Sequence, residues 1–164
     1  MSVLEVDTDT VNDPMLWAPH NGLRTVVHQG MGFLPFDPDR VGQFLTVDQK
    51  RDTLVSGYEL FKELQGLPLL NANYLEAWML YMSEVKHSEK EDNEEIVKLY
   101  PPELRRGRHG FTLYLFFWGT LYENAARRRF VRYLCKTSGQ KPYAGMVGLD
   151  CPHFRQNCPV AIWS

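Results

Sequence analysis

The chain has 164 residues, 44% of them apolar and 13% aromatic, which is enough for the core of one ordinary domain and excludes bulk disorder. Three cysteines are too few for a disulfide scaffold. The net charge is only −2, but residues 1–100 hold 17 acidic and 8 basic side chains, whereas residues 101–141 hold 2 acidic and 9 basic ones. Either these halves dock and neutralise each other, or the basic half faces phosphates of lipid or nucleic acid.

Residues 1–45 are predicted to form an extended, irregular N-terminal arm. They have no helical period, and Pro14, Pro19, Pro35 and Pro38 interrupt their apolar residues. The acidic start lacks the apolar core of a secretory signal and the arginines of a transit peptide. We therefore expect a cytosolic protein, or an organelle protein imported without a cleaved presequence.

A capping box, Thr46-Val-Asp-Gln49, predicts the start of a first helix over about 46–65. Asn71 or Asn73 is predicted to cap a second helix over about 73–87, which is apolar nearly all round. A charged link follows, and a short amphipathic helix over about 94–100 is expected before two prolines.

The longest predicted helix covers about 110–137. Its first part, 111–122, reads Phe-Thr-Leu-Tyr-Leu-Phe-Phe-Trp-Gly-Thr-Leu-Tyr and carries no charge, whereas its second part places apolar residues opposite basic ones. Residues 139–164 are rich in Gly and Pro and read as an irregular C-terminal tail. The predicted fold is mainly α, with three to four helices in a domain over 46–138 between long irregular N- and C-terminal arms.

A segment that is apolar on every face must be hidden from water. Its uncharged run of 12 residues is shorter than the roughly 20 that span a bilayer, and extension to Ala126 includes Glu123. Two interpretations follow. The segment is either the buried central helix of a bundle, or a short, tilted membrane helix in a larger complex.

Arginines on both sides of this segment are candidates for contacts with anionic lipid or phosphate. They are Arg105, Arg106, Arg108, Arg127, Arg128, Arg129 and Arg132. Nucleic acid is the less favoured partner, because the acidity of residues 1–100 would repel a polyanion.

A zinc site is the one metal centre that the sequence suggests. Cys135, Cys151, His153 and Cys158 form a Cys3His set of suitable ligand types, but no Cys-x-x-Cys spacing is present. The alternatives are isolated thiols in a loop and a disulfide between Cys151 and Cys158. No nucleophile elbow, phosphate loop or other catalytic motif occurs, so we do not expect an enzyme.

Taken together, these patterns favour a non-catalytic accessory subunit of a large assembly at an energy-transducing membrane such as the mitochondrial inner membrane. Other protein subunits would be its partners. Three alternatives stay open: a soluble cytoplasmic helical scaffold or binding module, a ribosome-associated protein, and a small zinc or thiol enzyme.

Overall fold

A computed structural model describes residues 4–85, 112–137, 142–151 and 154–164. These residues contain three α-helices and eight β-strands. In chain order the elements are β1 (Glu5–Asp7), β2 (Arg24–His28), β3 (Phe33–Pro35), β4 (Val41–Phe44), α1 (Val47–Lys50), α2 (Gly57–Glu63), α3 (Ala72–Val85), β5 (Thr112–Glu123), β6 (Arg129–Thr137), β7 (Tyr143–Gly148) and β8 (Val160–Trp163).

The main sheet has six strands, in the order β4, β8, β5, β6 and β7, with β2 also paired with β5. Because β6 pairs with β5 along its length, β8 and β2 share the opposite edge of that strand. Neighbouring strands are antiparallel except β5 and β8, which meet in parallel at Phe116 and Val160. β1 and β3 form a separate antiparallel pair.

The central strand β5 is buried on both faces. On the face covered by α3, Leu115 and Phe117 belong to one apolar cluster, and the Phe117 ring lies edge-on to Trp78. On the opposite face, Phe116 and Trp118 belong to a second cluster that includes the buried side of α2. We call these the helix face and the cleft face of the sheet.

Hydrogen bonds from Asn71 fasten the start of α3 to the rest of the fold. Its side-chain oxygen accepts from the backbone N–H groups of Asn73 at 3.1 Å and Tyr74 at 3.4 Å, which makes it the N-cap. Its amide nitrogen donates to the carbonyl oxygens of Thr8 at 2.8 Å and Gln29 at 3.0 Å. The helix therefore starts at a fixed position on the sheet.

Gly119 lets this capping segment approach the backbone of β5. Its N–H donates to the Leu70 carbonyl at 3.0 Å, and its own carbonyl accepts from Gln29 at 2.7 Å. A β-carbon at this position would lie 2.7 Å from the Leu69 carbonyl oxygen and 2.9 Å from the Asn71 β-carbon. Only glycine fits between these backbones without displacing one of them.

The predicted helix over 110–137 is wrong, because residues 112–137 form the β5–β6 hairpin. Asn124 begins the connecting turn and accepts from the backbone N–H of Arg127 at 2.9 Å and, through its side chain, from that of Arg128 at 3.0 Å. Arg127 has a φ of 61°, which permits the chain to reverse. A strand buried on both faces is apolar throughout, so its periodicity does not separate it from a buried helix.

The mainly α fold and the irregular arms are also wrong. β2 and β4, from residues 1–45, and β8, from residues 139–164, pair within the main sheet. Their partners are distant in sequence, so local periodicity carries little information about them. The fold combines α-helices with a mixed β-sheet, and the apolar segment interpreted as a short membrane helix is its central strand.

None of the helices in the described residues is long and apolar enough to span a membrane.

Of the other predicted helices, one is divided in two, one is confirmed and one lies outside the described residues. The capping box at Thr46 is confirmed, but α1 ends at Lys50, and a second capping box at Ser56 starts α2. Asp52, with a φ of 57°, separates them. The second predicted helix, 73–87, is confirmed as α3 up to its last described residue, Val85. The predicted helix over 94–100 lies outside the described residues.

Candidate functional site

An aromatic cleft opens on the cleft face of β5, β6 and β7. α2 packs over Trp118 on this face but leaves the neighbouring end of the three strands uncovered. Side chains from adjacent strands meet there in two cross-strand rows. One row consists of Tyr114, Cys135 and Tyr143. The other consists of Phe116, Tyr133 and Gly145.

The floor of the cleft is a set of aromatic rings in mutual contact. The ring centroid of Tyr133 lies 5.3 Å from that of Tyr114 and 5.2 Å from that of Phe116. A β-carbon on Gly145 would come within 2.4 Å of the Tyr133 ring, so this ring lies directly on the β7 backbone. Val147 of β7 completes the floor. Because Gly145 has no side chain, the Tyr133 ring can lie against the β7 backbone.

Cys151 and the segment from Phe154 to Cys158 form the wall of the cleft. Phe154 is buried between the floor and the core, with its ring 5.3 Å from both Phe116 and Trp118. The buried side chain of Gln49 donates to the backbone oxygens of Cys158 at 3.1 Å and Arg155 at 3.3 Å. This wall is therefore anchored both to the sheet and to α1.

The cleft has a volume of about 480 Å³. The wall residues that line it are Cys151, Phe154, Arg155, Asn157 and Cys158. Clefts of 300 to 1,000 Å³, mostly apolar and with a few polar groups, are the usual sites for small molecules. The cleft is large enough for a small molecule, and the exposed surface of its lining is more apolar than polar.

The phenols of the cleft stay protonated at neutral pH. Burial raises the pKa of Tyr114 and of Tyr133. The hydrogen bond with the Cys135 thiol, assisted by the nearby thiol and phenol groups, raises the pKa of the half-exposed Tyr143 to about 12. Each phenol therefore offers a hydrogen-bond donor rather than a negative charge.

The three cysteines of the predicted zinc set lie on the cleft face. Cys135, Cys151 and Cys158 are not joined by a disulfide. Burial raises the pKa of the Cys158 thiol, which disfavours a thiolate. Among the described residues, no three Cys, His, Asp or Glu side chains are placed to hold a metal ion. His153 lies outside the described residues, so the zinc set stays a prediction.

The predicted arginine contacts divide into three groups. Arg105, Arg106 and Arg108 lie outside the described residues. Arg127 and Arg128 are exposed at the β5–β6 turn, where Arg128 pairs with Asp150 at 2.7 Å, and the neighbouring, partly exposed Arg129 pairs with Glu123. The side chain of Arg132 is only 6% exposed. The contact with anionic lipid or phosphate stays a prediction for the exposed members.

Arg132 lies at the centre of a buried polar cluster on the helix face. Its guanidinium donates to the Glu76 carboxylate and stacks 4.0 Å from the centroid of the Trp17 ring. The Asn12 side-chain oxygen accepts from the Tyr122 hydroxyl at 2.6 Å and from the Trp17 indole at 3.2 Å. Burial raises the pKa of Tyr122. This cluster joins residues 12–17 to α3, β5 and β6.

Two arginines hold Glu123 at the end of β5. Its carboxylate accepts from Arg24 at 2.6 Å and from Arg129 at 3.4 Å, while its side chain is only 7% exposed. The hydrogen bond from Arg24, reinforced by the one from Arg129, lowers the pKa of Glu123 from its usual 4.5. The two ion pairs of Glu123 therefore contribute fully to stability above about pH 4.5. This contribution is lost as the pH falls through the lowered pKa of Glu123.

We expect Glu123→Gln to flatten the acid side of the stability profile. In the wild type, the free energy of unfolding should fall with acidification below about pH 4.5, as Glu123 takes up a proton and the ion pairs break. Urea denaturation at several pH values measures this slope. Glu63→Gln, at an exposed position on α2, is the control and should keep the wild-type slope. An unchanged slope in Glu123→Gln would contradict the assignment.

Sequence reasoning missed the aromatic floor. The available signal was the alternation of aromatic residues at Tyr114, Phe116 and Trp118, a period of two that indicates one face of a strand. The abundance of aromatic and β-branched residues in this segment also favours a strand. Leu115 and Phe117, which are also apolar and stand between them, hid this period.

Comparisons of the chain with protein families, curated proteins and solved structures find no match.

Proposed function

We propose that this protein is a ligand-binding module that holds a small, largely aromatic molecule in the cleft beside β5, β6 and β7. The observation that carries this proposal is the cleft of about 480 Å³ with its floor of contacting aromatic rings. Rings of this kind offer both apolar area and favourable edge-to-face contacts to a planar ligand. The anchored wall supports a largely preformed site.

Binding, rather than catalysis, is proposed because of what lines the cleft. The described lining residues include no His, Asp or Glu that could act as a general base. Burial raises the pKa of the Cys158 thiol, which makes it a poor nucleophile near neutral pH. A role as an accessory subunit of a larger assembly, expected from the sequence, stays a prediction and is compatible with ligand binding.

The test uses 2-naphthamide, a neutral bicyclic probe, titrated into isotope-labelled protein and followed by NMR. We expect saturable shifts of the backbone amides of Tyr133, Val147 and Phe154, with a Kd on the order of 0.1 to 1 mM for a ligand of this size. Val147→Trp fills the cleft from the partly exposed edge strand and should weaken binding by about tenfold or more.

Val47→Trp is the matched control, because Val47 is 62% exposed on α1 and does not line the cleft. This variant should bind the probe as the wild type does. Shifts that do not saturate, or a Val147→Trp variant with wild-type affinity, would contradict the proposed function.

A further inference from the structure

The cleft has one sign of charge. Arg155 is the only charged side chain among the described residues that line it, and it is exposed at the rim. A cleft with an aromatic floor therefore has a cationic edge.

Arg155 differs from the arginines that serve the fold. Arg24, Arg128, Arg129 and Arg132 each pair with a carboxylate. Within the part of the chain that the structure describes, the Arg155 guanidinium has no ion-pair partner. A guanidinium offers five N–H donors in a planar fork that matches a carboxylate. At the edge of the cleft this fork is available to a ligand.

Asn157 adds neutral donors beside Arg155. Its side-chain oxygen accepts from the Cys158 thiol at 3.4 Å, which leaves the amide N–H groups as its donors toward the cleft. Tyr114 and Tyr133 contribute protonated phenols on the floor. The described polar groups of the cleft edge are thus mainly donors, and donors select ligands that carry acceptor oxygens.

We propose that the ligand of this cleft is a planar aromatic carboxylate, with its ring system on Tyr133 and Phe116 and its carboxylate at Arg155 and Asn157. This inference rests on the proposed binding function and adds the chemical class of the ligand. Arg155 is then the residue that distinguishes an aromatic acid from a neutral aromatic molecule of the same size.

The experiment compares three probes by NMR titration at pH 7.5 and low salt: 2-naphthoate, 2-naphthamide and cyclohexanecarboxylate. Wild-type protein is expected to bind naphthoate about twofold to fivefold more tightly than naphthamide, the upper part of the range for an exposed ion pair. Arg155→Gln should remove this preference by weakening naphthoate, and naphthamide affinity should change much less, because glutamine keeps neutral N–H donors but not the charge. Arg51→Gln, which removes an exposed arginine that does not line the cleft, should retain the preference.

The outcomes separate this inference from the proposed function. If naphthoate and naphthamide bind with equal affinity and Arg155→Gln changes neither, the carboxylate part is overturned while ligand binding stands. If cyclohexanecarboxylate binds as tightly as naphthoate, the aromatic part is overturned. If neither naphthalene probe binds to the wild type, the proposed function and this inference both fail. Because naphthamide affinity reports whether the cleft is intact, misfolding of Arg155→Gln would be recognised.

Discussion

Replacement of Gly119 by alanine is expected to lower the free energy of unfolding by about 3 kcal/mol. The added β-carbon would lie 2.7 Å from the Leu69 carbonyl oxygen and 2.9 Å from the Asn71 β-carbon. To relieve this steric clash, the backbone must move, but the hydrogen bonds of Gly119 with Leu70 and Gln29 hold it in place. The N-cap of α3 would shift with it, so the cost extends beyond one steric contact.

The sign of this effect also tests the secondary structure of the segment. In the interior of a helix, glycine to alanine would stabilise by about 1 kcal/mol, the opposite of the result expected for β5. Urea denaturation of wild type and variant measures the difference. Gly42→Ala in the edge strand β4 is the control, since the nearest atom to its β-carbon would belong to the Ile162 side chain, at 3.1 Å, and the Ser164 β-carbon would lie at an ordinary contact distance of 3.7 Å. We expect a cost below about 1 kcal/mol there, and similar costs at both glycines would contradict the packing described.

Removal of the charge on Glu76 is expected to cost more stability than removal of its arginine partner. Arg132 is buried, with 6% of its side chain exposed, whereas Glu76 is 41% exposed. Glu76→Gln leaves a buried guanidinium without its counter-charge, which we expect to cost about 2 to 3 kcal/mol. Arg132→Met fills a similar volume and leaves a carboxylate that water can reach, so a cost of about 1 kcal/mol is expected, mainly from the lost stacking on Trp17.

The two variants and their double mutant form a thermodynamic cycle that chemical denaturation can measure. Once Arg132 is methionine, the further change Glu76→Gln should have little effect, because no buried charge is left unpaired. Tyr122→Phe, which removes a hydroxyl bonded to Asn12 but no charge, is a reference for the same cluster. An equal cost for Glu76→Gln and Arg132→Met would show that the asymmetric burial does not control the energetics of this pair.

Local signals in the sequence predicted the starts of α1 and α3, but not that of α2. The Thr46 and Gln49 side chains and backbone groups satisfy each other within four residues, so the capping box needs no distant partner. Asn71 likewise caps the segment that directly follows it. The end of α1 was missed because Asp52 adopts a positive φ that its residue type does not require.

The site could be predicted only in part. The sequence drew attention to Cys151 and Cys158, and both line the cleft, but it gave them as zinc ligands or a disulfide. Tyr114, Phe116 and Tyr133 could be found only after β5 and β6 were recognised as neighbouring strands. Their proximity depends on a register between strands, and a shift of one residue would turn them to the helix face.

By itself, the sequence determined that the chain has a substantial core, that a segment near residue 116 must be buried on all sides, and where two helices begin. Tertiary structure alone decided what buries that segment: α3 on one face, α2 on the other, and strands from residues 1–45 and 139–164 beside it. The physical reason is that the hydrophobic effect depends on the apolar area removed from water and not on direction. The apolar composition of the segment therefore requires that it be buried, whereas the hydrogen bonds between distant strands determine the geometry in which it is buried.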